Sequence, residues 1–264
     1  MLAWGPHGSV ASFVTTRARI THIVTVPETL ILFRGQAEFM RGRGFELEFV
    51  CSPSPALDAF AAKERVRSHG IPLTRRITPS HDARSLVALV RHLRRSRPDV
   101  VHSHTPKAGL LGTLAARVAS IRHRIYHLRG LPLATAHGAR RVSLELSERT
   151  ACRVATDVLC VSDSLRQQVI ARGIVQPTKI RVLGHGSGNG GDASGRFDPN
   201  RGGSHREDAR AALGIPPDAV VVGFVGRLAR EKGVDELTRA FERLGPAAHL
   251  LLVGPDEPHD PLDA

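Results

Sequence analysis

Residues 219–233, AVVVGFVGRLAREKG, place an apolar, β-branched run directly before a glycine-containing loop. Helical spacing of apolar residues follows at residues 233–244, and a second apolar run follows at residues 249–253. A strand, a helix and another strand in this order are typical of a parallel sheet covered by helices. The stretch therefore predicts an α/β fold, with its loop at the carboxyl end of a strand.

The same alternation runs through the preceding part of the chain. Strands are predicted at residues 20–26, 45–51, 100–103, 124–127, 158–161 and 180–183. A helix is predicted over residues 29–41, a second helix begins near Leu57 and is closed by Gly70, and a proline-containing edge strand is predicted at residues 71–77. Together these elements predict a doubly wound, Rossmann-like sheet.

Two domains of unequal completeness are expected. Residues 1–18 are predicted to be a disordered leader, and residues 19–190 form the complete Rossmann-like domain. Residues 191–216 are rich in Gly, Ser, Asn and Asp in their first part and are predicted to be a linker. Residues 217–264 contain a single βαβ unit, which leaves apolar faces uncovered, so they predict the start of a second Rossmann-like domain that stops before it is finished.

Composition narrows the classes of partner. The formal net charge of +12 favours anionic partners, which include nucleic acid, anionic membranes and phosphorylated small molecules. An aromatic content of 4% leaves few stacking platforms, so nucleic acid is not expected. No apolar run is long enough for a membrane span, and three widely spaced cysteines indicate neither a disulfide framework nor a zinc site. These features predict a cytoplasmic protein, with weak attachment to the inner face of the plasma membrane as an open alternative.

The loop after residue 225 carries the strongest chemical signal. Ligands of α/β proteins bind outside the carboxyl ends of the strands, where helix N-termini offer free N–H groups to phosphate. Arg227 and Lys232 bring two cations to this place, and fixed cations can stabilise a departing diphosphate without a metal. The alternative is that both are solvated surface charges.

Histidines form a second signal. His102 and His104 share one face of a strand end, but with no third ligand nearby in sequence they do not predict a metal site. His127 and Arg129 also lie on one face by strand alternation, and either could contact a polar or anionic ligand. The alternative for His127 is a buried core residue, and both interpretations stay open.

Three segments resemble a known family. The loop VGRLAREKG at 225–233 is similar to the donor-phosphate segment of the retaining GT-B glycosyltransferases of family 4. The run PDVVHSHTPKAG at 98–109 is similar to that family's first-domain strand and loop, and NGGD at 189–192 with Arg196 and Phe197 resembles its interdomain segment. The resemblance covers roughly residues 19–264 and is closest to enzymes that extend lipid-linked glycans and capsular or exopolysaccharides.

The resemblance implies a GT-B fold and sugar transfer from a nucleotide-sugar donor to a glycan or lipid-linked acceptor, without a cofactor or metal. It assigns the donor diphosphate to Gly226, Arg227 and Lys232. It assigns catalytic contacts in the cleft to His127 and Arg129, although many members carry His where this chain has Arg129. It assigns the acceptor side to His102, His104 and Lys107.

A further family feature is not found in the sequence. Family members carry a Glu pair spaced E-x7-E further along the second domain, and nothing after residue 254 matches it. We therefore expect a C-terminally truncated chain that does not complete transfer alone. Two alternatives stay open, a nucleotide-sugar epimerase of the same architecture and a non-catalytic fragment that binds an acceptor or a partner.

Overall fold

The computed structural model describes residues 18–75, 77–134, 136–186, 195, 198, 203–245, 248–257 and 262. The chain divides into two compact units, residues 1–190 and 191–264. Among the described residues, no helix has the length and apolar content that a bilayer span requires. The predicted leader falls almost entirely outside the described residues.

The first unit is built on one parallel sheet. Its strands are β1 (Arg19–Ile23), β2 (Glu46–Cys51), β3 (Arg67–Gly70), β4 (Val100–His104), β5 (His123–Leu128), β6 (Asp157–Cys160) and β7 (Ile180–Val182). They lie in the order β3-β2-β1-β4-β5-β6-β7, and every neighbouring pair is parallel. This is the doubly wound order, so the predicted fold class is confirmed.

Helices connect the strands of this sheet. They are α1 (Gln36–Arg41), α2 (Pro55–Glu64), α3 (Pro79–Ser96), α4 (Pro106–Val118), α5 (Gly138–Val154) and α6 (Asp163–Ala171). Proline occupies the first turn of α2, α3 and α4, where no intrahelical N–H bond is lost. Ser162 caps α6, because its side chain accepts a hydrogen bond of 3.2 Å from the Leu165 N–H.

Two helix predictions were wrong. The helix predicted over residues 29–41 is a 3₁₀ helix, Pro27–Phe33, followed by the short α1, and Gly35 separates them with a left-handed backbone at φ 74°. The helix after Leu57 ends at Glu64 because Arg65 adopts φ 53°.

The edge strand is accordingly β3 (Arg67–Gly70) and not residues 71–77. The Ile71 N–H still donates to the Cys51 carbonyl, at 2.8 Å, and Pro72 then ends the ladder because it has no N–H to donate.

Three apolar clusters fill the first unit. The first joins β5, β6 and β7 to α5 and α6, the second joins β1, β2 and β4 to α3 and α4, and the third lies under the 3₁₀ helix and α2. Helix α4 lies very close to the sheet. A Cβ on Gly109 of α4 would lie 2.2 Å from the Tyr126 ring of β5, so only glycine allows this approach.

The second unit contains a smaller parallel sheet. Helix α7 (Gly203–Ala212) lies within the segment predicted as a linker. Strand β8 (Val220–Val225), a 3₁₀ turn (Arg230–Lys232), helix α8 (Val234–Phe241) and strand β9 (Ala248–Val253) then follow. β8 and β9 pair in parallel over their whole length, as expected for one βαβ unit.

Candidate functional site

The strand order of the first unit creates a switch point between β1 and β4. The chain winds from β1 towards β2 on one side and from β4 towards β5 on the other, and such points leave a crevice at the carboxyl ends of the strands. Thr25 and Thr105 follow β1 and β4, and their hydroxyl oxygens lie 2.6 Å apart. The hydrogen bond therefore closes the base of the crevice.

Thr105 has a strained backbone. Its φ is 69° and its ψ is 152°, a region that side chains other than that of glycine rarely enter. Strain of this kind is concentrated at functional sites, where the surrounding structure holds it in place. The conformation turns the chain sharply from β4 into α4, and the hydroxyl of Thr105 contacts Thr25 from this turn.

Four histidines lie together beside this crevice. His22 of β1 is in register with His102 of β4, and His104 of β4 is in register with His127 of β5. The His102 and His104 ring centres are 4.0 Å apart, and the His102 and His127 rings are parallel at 5.5 Å. His22 Nδ1 lies 3.1 Å from His104 Nε2. Parallel strands in register thus produce a continuous imidazole layer, which we call the histidine array (His22, His102, His104 and His127).

Arg129 follows β5 and brings a positive charge to the histidine array. Its Nε donates to His104 Nδ1 at 3.2 Å, and its guanidinium carbon lies 5.3 Å from the centre of the Phe33 ring. Burial lowers the pKa of Arg129 to about 10, so the side chain remains a cation at neutral pH. Arg129 thus contacts His104, a neighbour that strand alternation did not predict.

The histidines themselves are neutral. Burial, with the nearby Arg129 cation as the second cause, lowers the pKa of His22 and of His127 to about 3. Burial also holds the pKa values of His102 and His104 well below the usual range, with neighbouring rings and Arg129 adding to the effect. In the described part of the chain, two buried ring nitrogens of the array have no hydrogen-bond partner, His102 Nε2 and His127 Nδ1.

The array corrects one expectation. His102 and His104 were expected to have no third ligand, yet a ring nitrogen of His22 joins theirs within 4.8 Å. The sequence held a signal for His22, because a histidine at the centre of an apolar strand must pair with neighbouring polar groups when it is buried. Only the register of β1 against β4 brings it beside His102.

Lys107 lies in the first turn of α4 and is paired within its own unit. Its Nζ lies 2.7 Å from Asp82 Oδ1 and 3.2 Å from Thr74 Oγ1. Asp82 also accepts hydrogen bonds from the backbone N–H and the hydroxyl of Thr78. The predicted contact with an acceptor phosphate stays a prediction, and such a phosphate would share Lys107 with Asp82.

The loop at residues 226–233 lies at the carboxyl end of β8, as predicted. Arg227 contacts two carboxylates there, those of Glu257 and Glu231. The hydrogen bond that Arg227 donates to Glu257 is the main reason that the pKa of Arg227 is raised. Lys232 Nζ lies 3.6 Å from Glu231 Oε1, so the excess positive charge that the sequence suggested is balanced by neighbouring acids.

The backbone around Gly226 and Gly254 is closely packed. The Gly226 N–H donates to the Val253 carbonyl at 3.0 Å, which draws the ends of β8 and β9 together. A Cβ on Gly254 would lie 1.6 Å from the Gly226 carbonyl oxygen, so Gly254 has no room for a side chain. The segment 189–192 and the residues Arg196 and Phe197 lie outside the described residues.

Two parallel α/β units, each with charged side chains at the carboxyl ends of its strands, define a protein of the two-unit Rossmann-like class. Residues 29–186 match the glycosyl transferase 4-like domain, and residues 205–262 match the glycosyl transferases of group 1. The chain therefore belongs to the group 1 glycosyltransferase family, and the predicted resemblance is confirmed.

Relatives and solved structures agree with this family. The chain is 34% identical over 249 residues to the capsular polysaccharide biosynthesis glycosyltransferase CapM of Staphylococcus aureus, covering 93% of this chain and 63% of that relative. It is 27% identical over 227 residues to an Escherichia coli UDP-Gal:alpha-D-GlcNAc-diphosphoundecaprenol alpha-1,3-galactosyltransferase, covering 82% and 55%. The crystal structure of Anabaena HepE with UDP and glucose superposes with a TM-score of 0.70 at 19% identity, covering 91% and 62%, which shows the GT-B fold. The chain thus spans less than two thirds of each.

Proposed function

We propose that the protein is a retaining glycosyltransferase that moves a sugar from a nucleotide-sugar donor to a glycan or lipid-linked acceptor in the synthesis of a cell-surface polysaccharide. The observation that carries this proposal is the family match across both units, together with a relative named for capsular polysaccharide synthesis. The E. coli relative is named for a diphosphoundecaprenol-linked acceptor, which supports an acceptor of the same chemical class here.

For the donor, we assign the diphosphate to the loop at the end of β8. When the bond between the sugar and the diphosphate breaks, negative charge develops on the leaving phosphate. Arg227 and Lys232 would stabilise that charge directly, so the proposal requires no metal or cofactor. The backbone at Gly226 would allow the phosphate to approach the loop closely.

Glu257 and Glu231 give this assignment a specific consequence. Both carboxylates contact the Arg227 guanidinium, which a diphosphate would also engage. An incoming diphosphate would therefore replace at least one carboxylate. Exchange of one anion for another keeps the guanidinium paired.

For the first unit, we assign substrate contacts to Arg129 and His127 at the crevice. Arg129 offers a cation to an anionic oxygen, and the neutral His127 offers a ring nitrogen to a sugar hydroxyl. His102, His104 and Lys107 are assigned to the acceptor side. Of these, Lys107 is the group that would meet an acceptor phosphate.

Nucleotide binding tests the donor assignment. Calorimetric titration of the chain with UDP and other nucleoside diphosphates, in EDTA, should give weaker binding by roughly ten- to a hundredfold for Arg227→Ala and Lys232→Ala, the cost of about 1.5–3 kcal/mol for a lost charge-assisted contact. Glu257→Gln should tighten binding, because it removes a competitor for Arg227. Arg243→Ala, an exposed charge in the same unit, is the matched control. Unchanged affinity in all variants would show that the donor diphosphate does not bind at this loop.

Product analysis tests the reaction class. A version of the protein extended to the full length of its relatives is incubated with a panel of nucleotide sugars and diphospholipid-linked acceptors, and mass spectrometry and NMR follow the products. A glycosylated acceptor supports transfer. A changed sugar on an unconsumed nucleotide would instead identify an epimerase and contradict the proposal.

The acceptor class also suggests where the protein works. We propose a weak, salt-sensitive attraction to anionic membranes, supported by the net charge of +12 and by the exposed side chains of Arg91, Arg94 and Arg95 on α3. Sedimentation with vesicles measures it. Equal recovery with neutral and anionic vesicles at low salt would contradict it.

A further inference from the structure

The two hydrogen-bond partners of His104 determine where its ring proton lies. Arg129 Nε, 3.2 Å from His104 Nδ1, can only donate. His104 Nδ1 must therefore be the acceptor and carry the lone pair. The ring is neutral, because burial holds its pKa well below the usual range. Its single proton consequently lies on Nε2.

His22 continues the same chain. Its Nδ1 lies 3.1 Å from His104 Nε2, which has just been identified as the donor. His22 Nδ1 must then accept, and the proton of this neutral ring lies on Nε2. Phe49 stacks on the His22 ring at 4.8 Å between centres, and Phe33 meets the His104 ring edge-on at 4.8 Å. Both imidazoles are thus held in place by packing as well as by hydrogen bonds.

We propose that Arg129, His104 and His22 form a one-directional hydrogen-bond chain that locks one tautomer of each imidazole and holds the Arg129 guanidinium in a fixed place at the carboxyl end of β5. His104 and His22 are then positioning residues, which act through Arg129. The inference rests on the proposed function only where it concerns the use of Arg129 by a substrate; the lock itself is a property of the folded chain.

The same hydrogen-bond chain opposes binding of a metal ion between His22 and His104. The facing nitrogens of His22 and His104 are 3.1 Å apart, and a metal ion held between them would need the lone pairs of both. His104 Nε2 carries the proton instead. Moving that proton to Nδ1 would point its N–H at the N–H of Arg129 Nε, two donors 3.2 Å apart. Arg129 therefore opposes Zn²⁺ binding both by its charge and by fixing the tautomer.

Nitrogen NMR tests the lock on the chain itself. The protein is labelled with ¹⁵N-histidine, and two-bond ¹H–¹⁵N spectra report which ring nitrogen carries each proton. His22→Gln and His104→Gln assign the signals. We expect His104 and His22 to show the pattern of the pure Nε2–H tautomer at neutral pH, unchanged by excess Zn²⁺. A parent spectrum with the proton on His104 Nδ1, or Zn²⁺ shifting the signals of these two rings, would overturn the proposal.

Variants at Arg129 test the cause. Arg129→Leu removes the donor, so the pure pattern of His104 should be lost in favour of mixed tautomers, and that of His22 should follow. Arg122→Leu, which removes an exposed arginine just before β5, should leave both rings unchanged. A pure Nε2–H pattern that persists in Arg129→Leu would overturn the proposal. If that variant loses its fold, the parent spectrum still decides.

The test separates the lock from the proposed function. If the tautomers follow the expected pattern but, in the version extended to the full length of the relatives, Arg129→Leu transfers sugar as well as the parent does, the substrate role of Arg129 fails and the lock stands. If the parent shows the wrong tautomer while Arg129→Leu loses transfer, the lock fails and the substrate role stands.

Discussion

Glu148 should make the stability of the first unit fall as the pH rises. This carboxyl lies on α5 with 2% of its surface exposed, and its Oε2 accepts a 2.8 Å hydrogen bond from the Tyr126 hydroxyl. Its Oε1 is buried without a hydrogen-bond partner among the described residues. Burial raises the pKa of Glu148 from 4.5 to about 7, although the bond from Tyr126 acts in the opposite direction.

The magnitude follows from the two pKa values. A carboxyl whose folded pKa exceeds its unfolded pKa holds its proton more tightly when folded, so its stabilising contribution is complete below pH 4.5 and is lost as the pH rises through 7. Each pKa unit corresponds to about 1.4 kcal/mol, so the full shift corresponds to about 3 kcal/mol. Between about pH 5 and pH 8 the parent should lose about 2–3 kcal/mol that a variant without this carboxyl keeps.

Urea unfolding at several pH values measures the effect. Glu148→Gln keeps the shape and an acceptor for Tyr126 but cannot ionise, so the difference in unfolding free energy between parent and variant should change with pH as described. Glu145→Gln is the matched control, because Glu145 lies on the same helix, is paired with Arg149 and has a lowered pKa. The reasoning is refuted if parent and Glu148→Gln change stability in parallel across this range.

Two other substitutions test the histidine array and the loop after β8. Burial lowers the pKa of His22 in the folded protein to about 3, so the unfolded chain takes up the proton at a higher pH. The unfolding free energy of the parent should therefore fall by about 2 kcal/mol through this residue between about pH 7.5 and pH 5. In urea unfolding, His22→Gln should lack that loss. Parallel curves would contradict it. Gly254→Ala should destabilise the second unit by about 1–3 kcal/mol, because its Cβ would meet the Gly226 carbonyl, whereas Gly223→Ala meets nothing within 4 Å. Equal melting temperatures for these two variants would show that the loop shifts enough to accommodate the added methyl group.

The position of the donor loop could be predicted from local order. An apolar β-branched run followed by glycine and two cations identifies a strand end in any α/β protein, so the position of Arg227 and Lys232 followed from local pattern alone. The ion pair between Arg227 and Glu257 could not be predicted from local pattern. Glu257 is 30 residues away in the sequence and reaches Arg227 only when β8 and β9 pair.

Local conformations were harder to predict than strand positions. Nothing in the identities of Arg65 and Thr105 announces a left-handed backbone, since both residues usually avoid it. The left-handed turn at Arg65 ends α2 early and allows residues 67–70 to form the edge strand β3. The edge strand therefore lies before the predicted range of 71–77. These conformations are imposed by tertiary packing, which overrides local preference.

The sequence by itself determined the alternation of strands and helices, the Rossmann-like class and the family, because apolar periodicity and short motifs are local properties. It also placed His102 with His104 and His127 with Arg129, since alternation along a strand fixes which side chains share a face. Only the tertiary structure brought His22 to them, because register between β1 and β4 depends on packing between segments about 80 residues apart. The direction of the hydrogen-bond chain from Arg129 was decided there as well, since a ring proton is placed by its neighbours in space and not by its position in the chain.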